Sequence, residues 1–126
     1  MLHNEKAVMA VRSLTGLLLL FFGLNGFFQF MVPPEGSAAG MAFFSALMAA
    51  GYMMPFINIL MLATGAMLLL NFKAAFAAVL IAPLTVSVIL FHVFLDPATS
   101  LFAAILAILN VLLGAMYWDK YAPMFE

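Results

Sequence analysis

The sequence predicts an all-α fold: a bundle of four transmembrane helices with the N and C termini in the cytoplasm. Hydrophobic residues occupy 68% of the 126 positions, and charged residues only 7%. A soluble domain of this length has too little interior to bury so much apolar surface. The few charges leave four uncharged segments, each close to the roughly 20 residues that a helix needs to cross a bilayer. Residues 1–126 are therefore predicted to form a single integral membrane domain.

Breaks in the apolar pattern set the limits of the four helices. The predicted transmembrane helices cover residues 10–32, 53–71, 74–95 and 98–118. Pro33-Pro34 is expected to end the first helix, because a proline removes a helical hydrogen bond and clashes with the preceding turn. Asn71-Phe72-Lys73 is predicted to form a tight turn between the second and third helices. Asp96-Pro97 is predicted to separate the third helix from the fourth.

The connection between the first and second helices is the longest, and its middle is apolar. Residues 40–51 can form a short helix, but they are too few to cross a bilayer. We expect this short helix to lie in the membrane interface or to pack against the bundle.

A cleaved signal peptide is the alternative interpretation of the first helix. Ser37-Ala38-Ala39 is similar to a small-residue cleavage site. The apolar run before it, however, exceeds the roughly 7–15 residues of a signal-peptide core. The length of the run favours a helix that is retained in the membrane.

The basic residues indicate how the bundle is oriented. All four fall on one side of the predicted membrane: Lys6, Arg12, Lys73 and Lys120. The connections on the other side carry only the acidic residues Glu35 and Asp96. Because cytoplasmic loops of membrane proteins carry the excess of Lys and Arg, both termini are predicted to be cytoplasmic. The long side chain of Arg12 is expected to reach the cytoplasmic interface.

Four polar side chains fall at a similar depth, in the outer half of the predicted membrane. They are Asn25 and Gln29 on the first helix, Asn58 on the second and His92 on the third. A polar group without a partner in hydrocarbon costs several kcal/mol, so we expect these groups to face one another. The result would be a polar patch or pocket that opens to the outer side. Thr85 lies one heptad before His92 and faces the same way.

His92 has two interpretations. As a structural residue it would be a neutral histidine bonded to a backbone carbonyl or to a neighbouring amide. As a functional residue it would bind a ligand or handle a proton, because ionisable residues inside membranes are functional candidates. The ligand-binding hypothesis includes His92, Asn58, Gln29, Asn25 and Thr85.

Small residues recur at helical spacing and predict close helix packing. Gly16, Gly23 and Gly26 share a narrow sector of the first helix, at about 100° per residue. Asn58 and Gly65 lie one heptad apart on the second helix. On the fourth helix, Asn110 is predicted to donate an interhelical hydrogen bond beside Gly114.

The composition removes several classes of chemistry. The chain has no cysteine, which excludes disulfides and thiolate metal sites. The predicted helices contain no Asp or Glu, so a paired-carboxylate site and an acidic proton relay are not expected. A net charge of −1 does not suggest nucleic acid as a partner. We therefore predict no catalytic residues and no metal ligands, and the sequence leaves the cofactor undetermined.

Several segments of the chain are similar to one known family. They are 17–27 (LLLLFFGLNGF), 82–85 (APLT), 90–97 (LFHVFLDP), Asn110 and 117–121 (YWDKY). In these segments the chain resembles the DoxX family of small four-helix bacterial membrane proteins, with the Phe91-His92 pair as the most specific piece. The resemblance implies a multi-pass protein of the bacterial cytoplasmic (inner) membrane. Many DoxX-like chains carry a glutamate early in the second helix, where this chain has Asn58.

The resemblance and the residues together leave two hypotheses for function. Named DoxX relatives include a subunit of a thiosulfate:quinone oxidoreductase and a component of a mycobacterial membrane oxidoreductase complex. The first hypothesis is an accessory or quinone-binding subunit of a membrane redox complex, not catalytic by itself. In it, His92 with Asn58 or Gln29 bonds a carbonyl or hydroxyl of a small lipophile. The alternative is a structural or assembly subunit that packs on other membrane subunits or on copies of itself.

Overall fold

The computed structural model describes residues 4–29 and 36–126, and these residues are almost entirely helical. The α-helices in these ranges are α1 (Glu5–Phe28), α2 (Ala38–Ala49), α3 (Met53–Leu69), α4 (Ala74–Phe94), α5 (Leu101–Met116) and α6 (Trp118–Tyr121). Short 3₁₀ turns cover Pro97–Thr99 and Ala122–Phe125. Within the described residues, the all-helical class predicted from the sequence is confirmed.

Helix α1 begins and ends earlier than the predicted helix 10–32. Its first turn is capped by Asn4, whose side-chain oxygen accepts the backbone N–H of Lys6 at 2.9 Å. It ends where Gln29 adopts a left-handed conformation with a φ of 51° and donates its N–H to the Asn25 carbonyl. The predicted stop at Pro33-Pro34 lies outside the described residues.

The remaining helices follow the predicted segments with shifted ends. Helices α3 and α4 lie within 53–71 and 74–95, joined by a turn in which Asn71 and Lys73 have positive φ angles of 55° and 49°. Helix α5 begins three residues later than the predicted residue 98, because the chain after Asp96 first makes a 3₁₀ turn. Helix α2 occupies the predicted short helix, two residues earlier at each end.

The four long helices form a closed ring. Helix α1 packs on α3 and α5, and α4 packs on the same two helices, so α1 and α4 lie diagonally across the bundle. Adjacent helices run antiparallel: α1 pairs Gly16 with Gly65 and Gly26 with Asn58 of α3. The centre of the ring is filled by fully buried side chains, among them Leu19, Leu68, Ile81 and Leu113.

The backbones of α1 and α3 touch at two glycines. A Cβ on Gly16 would lie 2.8 Å from the carbonyl oxygen of Gly65, and a Cβ on Gly65 would lie 2.9 Å from that of Gly16. Further along α1, Gly23 faces the side chain of Leu62, and Gly26 leaves room only for the side chain of Asn58. Any side chain at Gly16 or Gly65 would force the two helices apart.

Arg12 fastens the cytoplasmic end of this pair as the sequence orients it. Its guanidinium donates to the carbonyl oxygens of Leu68 at 2.5 Å and Leu69 at 3.1 Å. These carbonyls belong to the last turn of α3, which lacks helical partners and carries the negative end of the helix dipole. The expectation that Arg12 snorkels to the interface is wrong, because only 9% of the residue is exposed and its charge has this internal partner.

Two helices meet the length and hydropathy of a membrane span by themselves. They are α1 and α4, and the number rises to four if each of two bent pairs counts as one span. Helices α2 and α3 meet at 92°, and α5 meets Trp118–Phe125 at 68°. The outward faces carry large apolar side chains such as Leu17, Phe56, Leu90 and Ile108. These features indicate a multi-pass membrane protein.

The glycine contact gives a prediction with an internal control. Gly16→Ala is expected to destabilise the bundle by about 1–3 kcal/mol, because its Cβ meets backbone atoms that cannot rotate away. At Gly114 a Cβ would meet no atom of the described chain within 4 Å. Gly114→Ala should therefore be neutral, or stabilising by up to about 1 kcal/mol. Chemical unfolding in dilute detergent micelles, followed by circular dichroism, compares the two, and equal losses would contradict the contact.

Arg12 gives a second prediction. Arg12→Met keeps much of the apolar stem but removes the guanidinium donor from the Leu68 and Leu69 carbonyls, and the Leu68 carbonyl keeps the long 3.3 Å bond from the Asn71 N–H. The free energy of unfolding should fall by about 1.5–3 kcal/mol, the usual value for a hydrogen bond to a charged group. The control is Lys6→Met, at an exposed position of the same helix, which should change stability little. If both variants unfold alike, Arg12 does not fasten α3.

Candidate functional site

Three buried side-chain atoms in the described part of the chain have no hydrogen-bond partner. They are Nδ1 and Nε2 of His92 and Oδ1 of Asn110. A buried polar atom left unpaired costs about 1–3 kcal/mol, so such atoms are rare unless something outside the structure satisfies them. They mark two places in the fold: the last turns of α4, and the junction of α4 with α5.

His92 lies at the end of α4 in an aromatic cluster. Its ring packs edge-on against Phe91, with 5.0 Å between the ring centroids. The Phe91 ring in turn contacts Phe43 and Phe44 of α2, at 5.5 and 5.2 Å. The imidazole therefore lies beside a chain of aromatic rings, and neither of its nitrogens has a protein partner among the described residues.

The start of α2 is anchored beside this cluster by Asp96 and Ser37. The Ser37 hydroxyl donates to the Leu95 carbonyl and accepts the Gly40 N–H at 3.0 Å, which makes it the cap of α2. The Ser37 N–H donates to Oδ2 of Asp96 at 3.3 Å. The buried Asp96 carboxylate thus lies at the positive end of the α2 dipole. Helix α2 is therefore held at the end of α4, where Phe43 and Phe44 pack on Phe91.

Sequence analysis missed the role of Asp96. The sequence indicates Asp96 as a loop charge and as part of the break before the fourth helix, whereas the structure buries it, 5% exposed, four residues after His92. The usable signal was a capping serine, Ser37, in a connection otherwise rich in small residues. Its partner at the end of α4 is distant in the sequence, so the pairing could not be read from the chain alone.

The other members of the predicted outer patch lie elsewhere. Asn58 is buried in the α1–α3 contact against Gly26. Asn25 is half-buried on α1, and Gln29 is exposed where α1 ends. The prediction that these amides supply partners for His92 is wrong, because neither ring nitrogen is bonded. Two causes apply: Asn25 and Gln29 lie on α1, which is diagonal to α4, and Asn58 lies on the face of α3 that packs against α1.

A second feature is an open groove of about 250 Å³ between α4 and α5. Small residues make its walls: Ala78, Ala82, Ala107 and Gly114. Asn110 lies in it and donates to the Ala78 carbonyl at 3.3 Å. Thr85 also lines the groove, with its hydroxyl bonded to the Ile81 carbonyl at 3.1 Å. Thr85 therefore joins Asn110 and Gly114, and not the aromatic cluster at His92.

The cytoplasmic end of this groove, as the sequence orients it, is closed by Tyr121 of α6. Its hydroxyl donates to the Ala75 carbonyl at 2.6 Å, and burial raises the pKa of Tyr121 to about 12. Gly114, predicted as a helix-packing residue, faces open space within this chain, since no neighbouring helix has an atom within 4 Å of a Cβ placed there. The described chain thus leaves open space on α5 at Gly114, although Ala103 and Asn110 are buried.

Comparison with protein-family models, with curated proteins and with solved structures finds no match to this chain. The DoxX resemblance therefore stays a prediction, carried by the segments in which it was found.

The unpaired imidazole gives a stability prediction. In the ligand-free protein, His92→Leu should leave the unfolding temperature unchanged or raise it, because it removes two buried atoms that have no partner. Tyr121→Phe is the contrast: it removes a hydroxyl that has a partner and should cost about 1 kcal/mol. The measurement is the thermal unfolding temperature of the wild type and of both variants in detergent micelles. A loss at His92→Leu as large as at Tyr121→Phe would mean that His92 is a satisfied structural residue.

Proposed function

We propose that this chain is a four-span, DoxX-like protein of the bacterial cytoplasmic membrane that binds a quinone-type lipophile at His92 as an accessory subunit of a redox complex. The spans are α1, α3, α4 and α5. All four basic residues fall near one end of these helices, which supports cytoplasmic termini: Lys6, Arg12, Lys73 and Lys120. The 92° bend between α2 and α3 supports a position for α2 along the outer surface.

The unpaired imidazole of His92 carries the proposal. A neutral imidazole has one donor and one acceptor nitrogen, and both are buried without partners in the described chain. A quinone carbonyl accepts from the donor, and the hydroxyl of the reduced form donates to the acceptor. A quinone can therefore pair with the donor nitrogen in its oxidised form and with the acceptor nitrogen in its reduced form.

The surroundings of His92 suit a flat, apolar ligand. The rings of Phe91, Phe43 and Phe44 offer faces and edges for stacking. Helix α2, fastened by Ser37 to the end of α4, covers this side of the bundle. A lipophile can reach the cluster from the membrane, since Phe94 and Val93 beside it are exposed on the outer face of α4.

The chain's part in the chemistry is binding and orientation. Asn58, at the place where many DoxX-like chains have a glutamate, is an amide and exchanges no proton at ordinary pH. His92 can hold or pass a proton at a quinone oxygen, while electron transfer belongs to the quinone and to another subunit of the complex. This division of labour defines an accessory subunit.

The test is quinone binding to the purified chain in lipid nanodiscs. Decylubiquinone and menadione serve as benzoquinone and naphthoquinone probes, and binding is measured by equilibrium dialysis. His92→Leu should weaken binding of the preferred probe at least about tenfold, which corresponds to about 1.4 kcal/mol. Val93→Leu, at the next position and 62% exposed, should bind as the wild type does.

Two results would contradict the proposal. One is the absence of saturable binding of either probe to the wild-type chain. The other is equal binding by the wild type and His92→Leu, which would place any quinone elsewhere on the protein.

A further inference from the structure

We propose that the groove between α4 and α5 is the interface for a second copy of this chain, with the two Asn110 side chains paired across a two-fold axis. The inference goes beyond quinone binding and takes only the four-span topology from the proposed function. It rests on an incompletely bonded amide, on the symmetry of membrane insertion and on uncovered space along α5.

The hydrogen bonding of Asn110 is incomplete in a specific way. The residue is 9% exposed, and one of its two amide N–H groups donates to the Ala78 carbonyl. The second N–H is spare, and Oδ1 has no partner in the described chain. The Oδ1 of Asn110 therefore lacks a hydrogen-bond donor, and its second N–H lacks an acceptor. The Asn110 of a second copy has the same unpaired oxygen and N–H, so two such amides can each donate one hydrogen bond to the other.

Membrane insertion makes such a pairing natural. Copies of one chain insert with the same orientation, so a closed pair has its two-fold axis along the membrane normal. Residues near the axis then face their own counterparts at equal depth. A lysine or an aspartate would meet its own charge there, whereas an asparagine amide is self-complementary.

The surface of α5 has the shape for close approach. Gly114 lies one turn after Asn110 on the same face, and the space where its Cβ would be is open. Beside the α4–α5 groove, a second depression of about 260 Å³ is lined by Ala107, Ile108, Val111 and Leu112. Val111, 72% exposed, stands between the two hollows. In a parallel pair, the ridge at Val111 of each copy can enter the groove of the other.

A lipid tail or an unrelated membrane helix could also enter the groove. A lipid tail has no donor for Oδ1 and leaves Asn110 unpaired. An unrelated helix would have to carry a hydrogen-bond donor at the depth of Asn110 to satisfy Oδ1. A second copy of this chain carries that donor, because its own Asn110 lies at the same depth.

The absence of cysteine makes the experiment direct. Val111→Cys and Leu17→Cys are expressed separately in membranes and treated with a short bismaleimide. Both positions are exposed, but Leu17 lies on α1, away from the groove. Val111→Cys should give a covalent dimer of this chain, and Leu17→Cys should not. Equal yields from both, or capture of a different protein at Val111→Cys, would overturn the proposal.

Second-site variants in the Val111→Cys background test the amide and the glycine. Asn110→Leu should lower the dimer yield about 3- to 20-fold, the range expected for an interhelical hydrogen bond in a membrane. Gly114→Leu should abolish it by filling the approach, although that side chain meets nothing in its own copy. Circular dichroism and unfolding temperatures establish that each variant is folded. Unchanged cross-linking in both folded variants would overturn the proposal.

Discussion

The bundle depends on the direct backbone contact between α1 and α3 at Gly16 and Gly65. This contact sets the spacing of the pair, which in turn places Arg12 over the last carbonyls of α3 and Asn58 beneath Gly26. A charged group and an amide are thus both buried within one helix pair. The remaining long helices close the ring by apolar packing, centred on side chains such as Ile81 and Leu113.

Buried polar groups in this fold divide into two kinds. Thr15, Thr64 and Thr85 each bond the carbonyl four residues earlier in their own helix, so they make no demand on packing. His92 and Asn110 are different, because His92 has two buried side-chain atoms, and Asn110 one, without a partner among the described residues. His92 lies beside the ring of Phe91, and Asn110 lies in the open groove between α4 and α5. This difference in surroundings is the reason that a small molecule is proposed at His92 and a second helix at Asn110.

Much of the fold could be predicted from spacing and composition, because both are local. The period of Gly16, Gly23 and Gly26 placed them on one face, and that face lies against α3. For the candidate site, the sequence predicts only how far along its helix each polar residue lies. Distance along a helix tells how far a residue lies across the membrane, but the order of the helices around the ring decides its neighbours. Asn58 packs against Gly26 of α1, whereas His92 contacts Phe91 at the end of α4.

The unequal lengths of the helices have a consequence for the surrounding bilayer. Helices α1 and α4 have 24 and 21 residues, whereas α3 and α5 have 17 and 16. At 1.5 Å per residue, α3 and α5 span only about 24–26 Å, less than the ~30 Å of a typical hydrocarbon core. In the proposed four-span topology, the bilayer beside these two helices must become thinner to keep its hydrocarbon matched to their length. This hydrophobic mismatch makes the α5 side elastically costly to leave in contact with lipid, and a thicker membrane raises that cost.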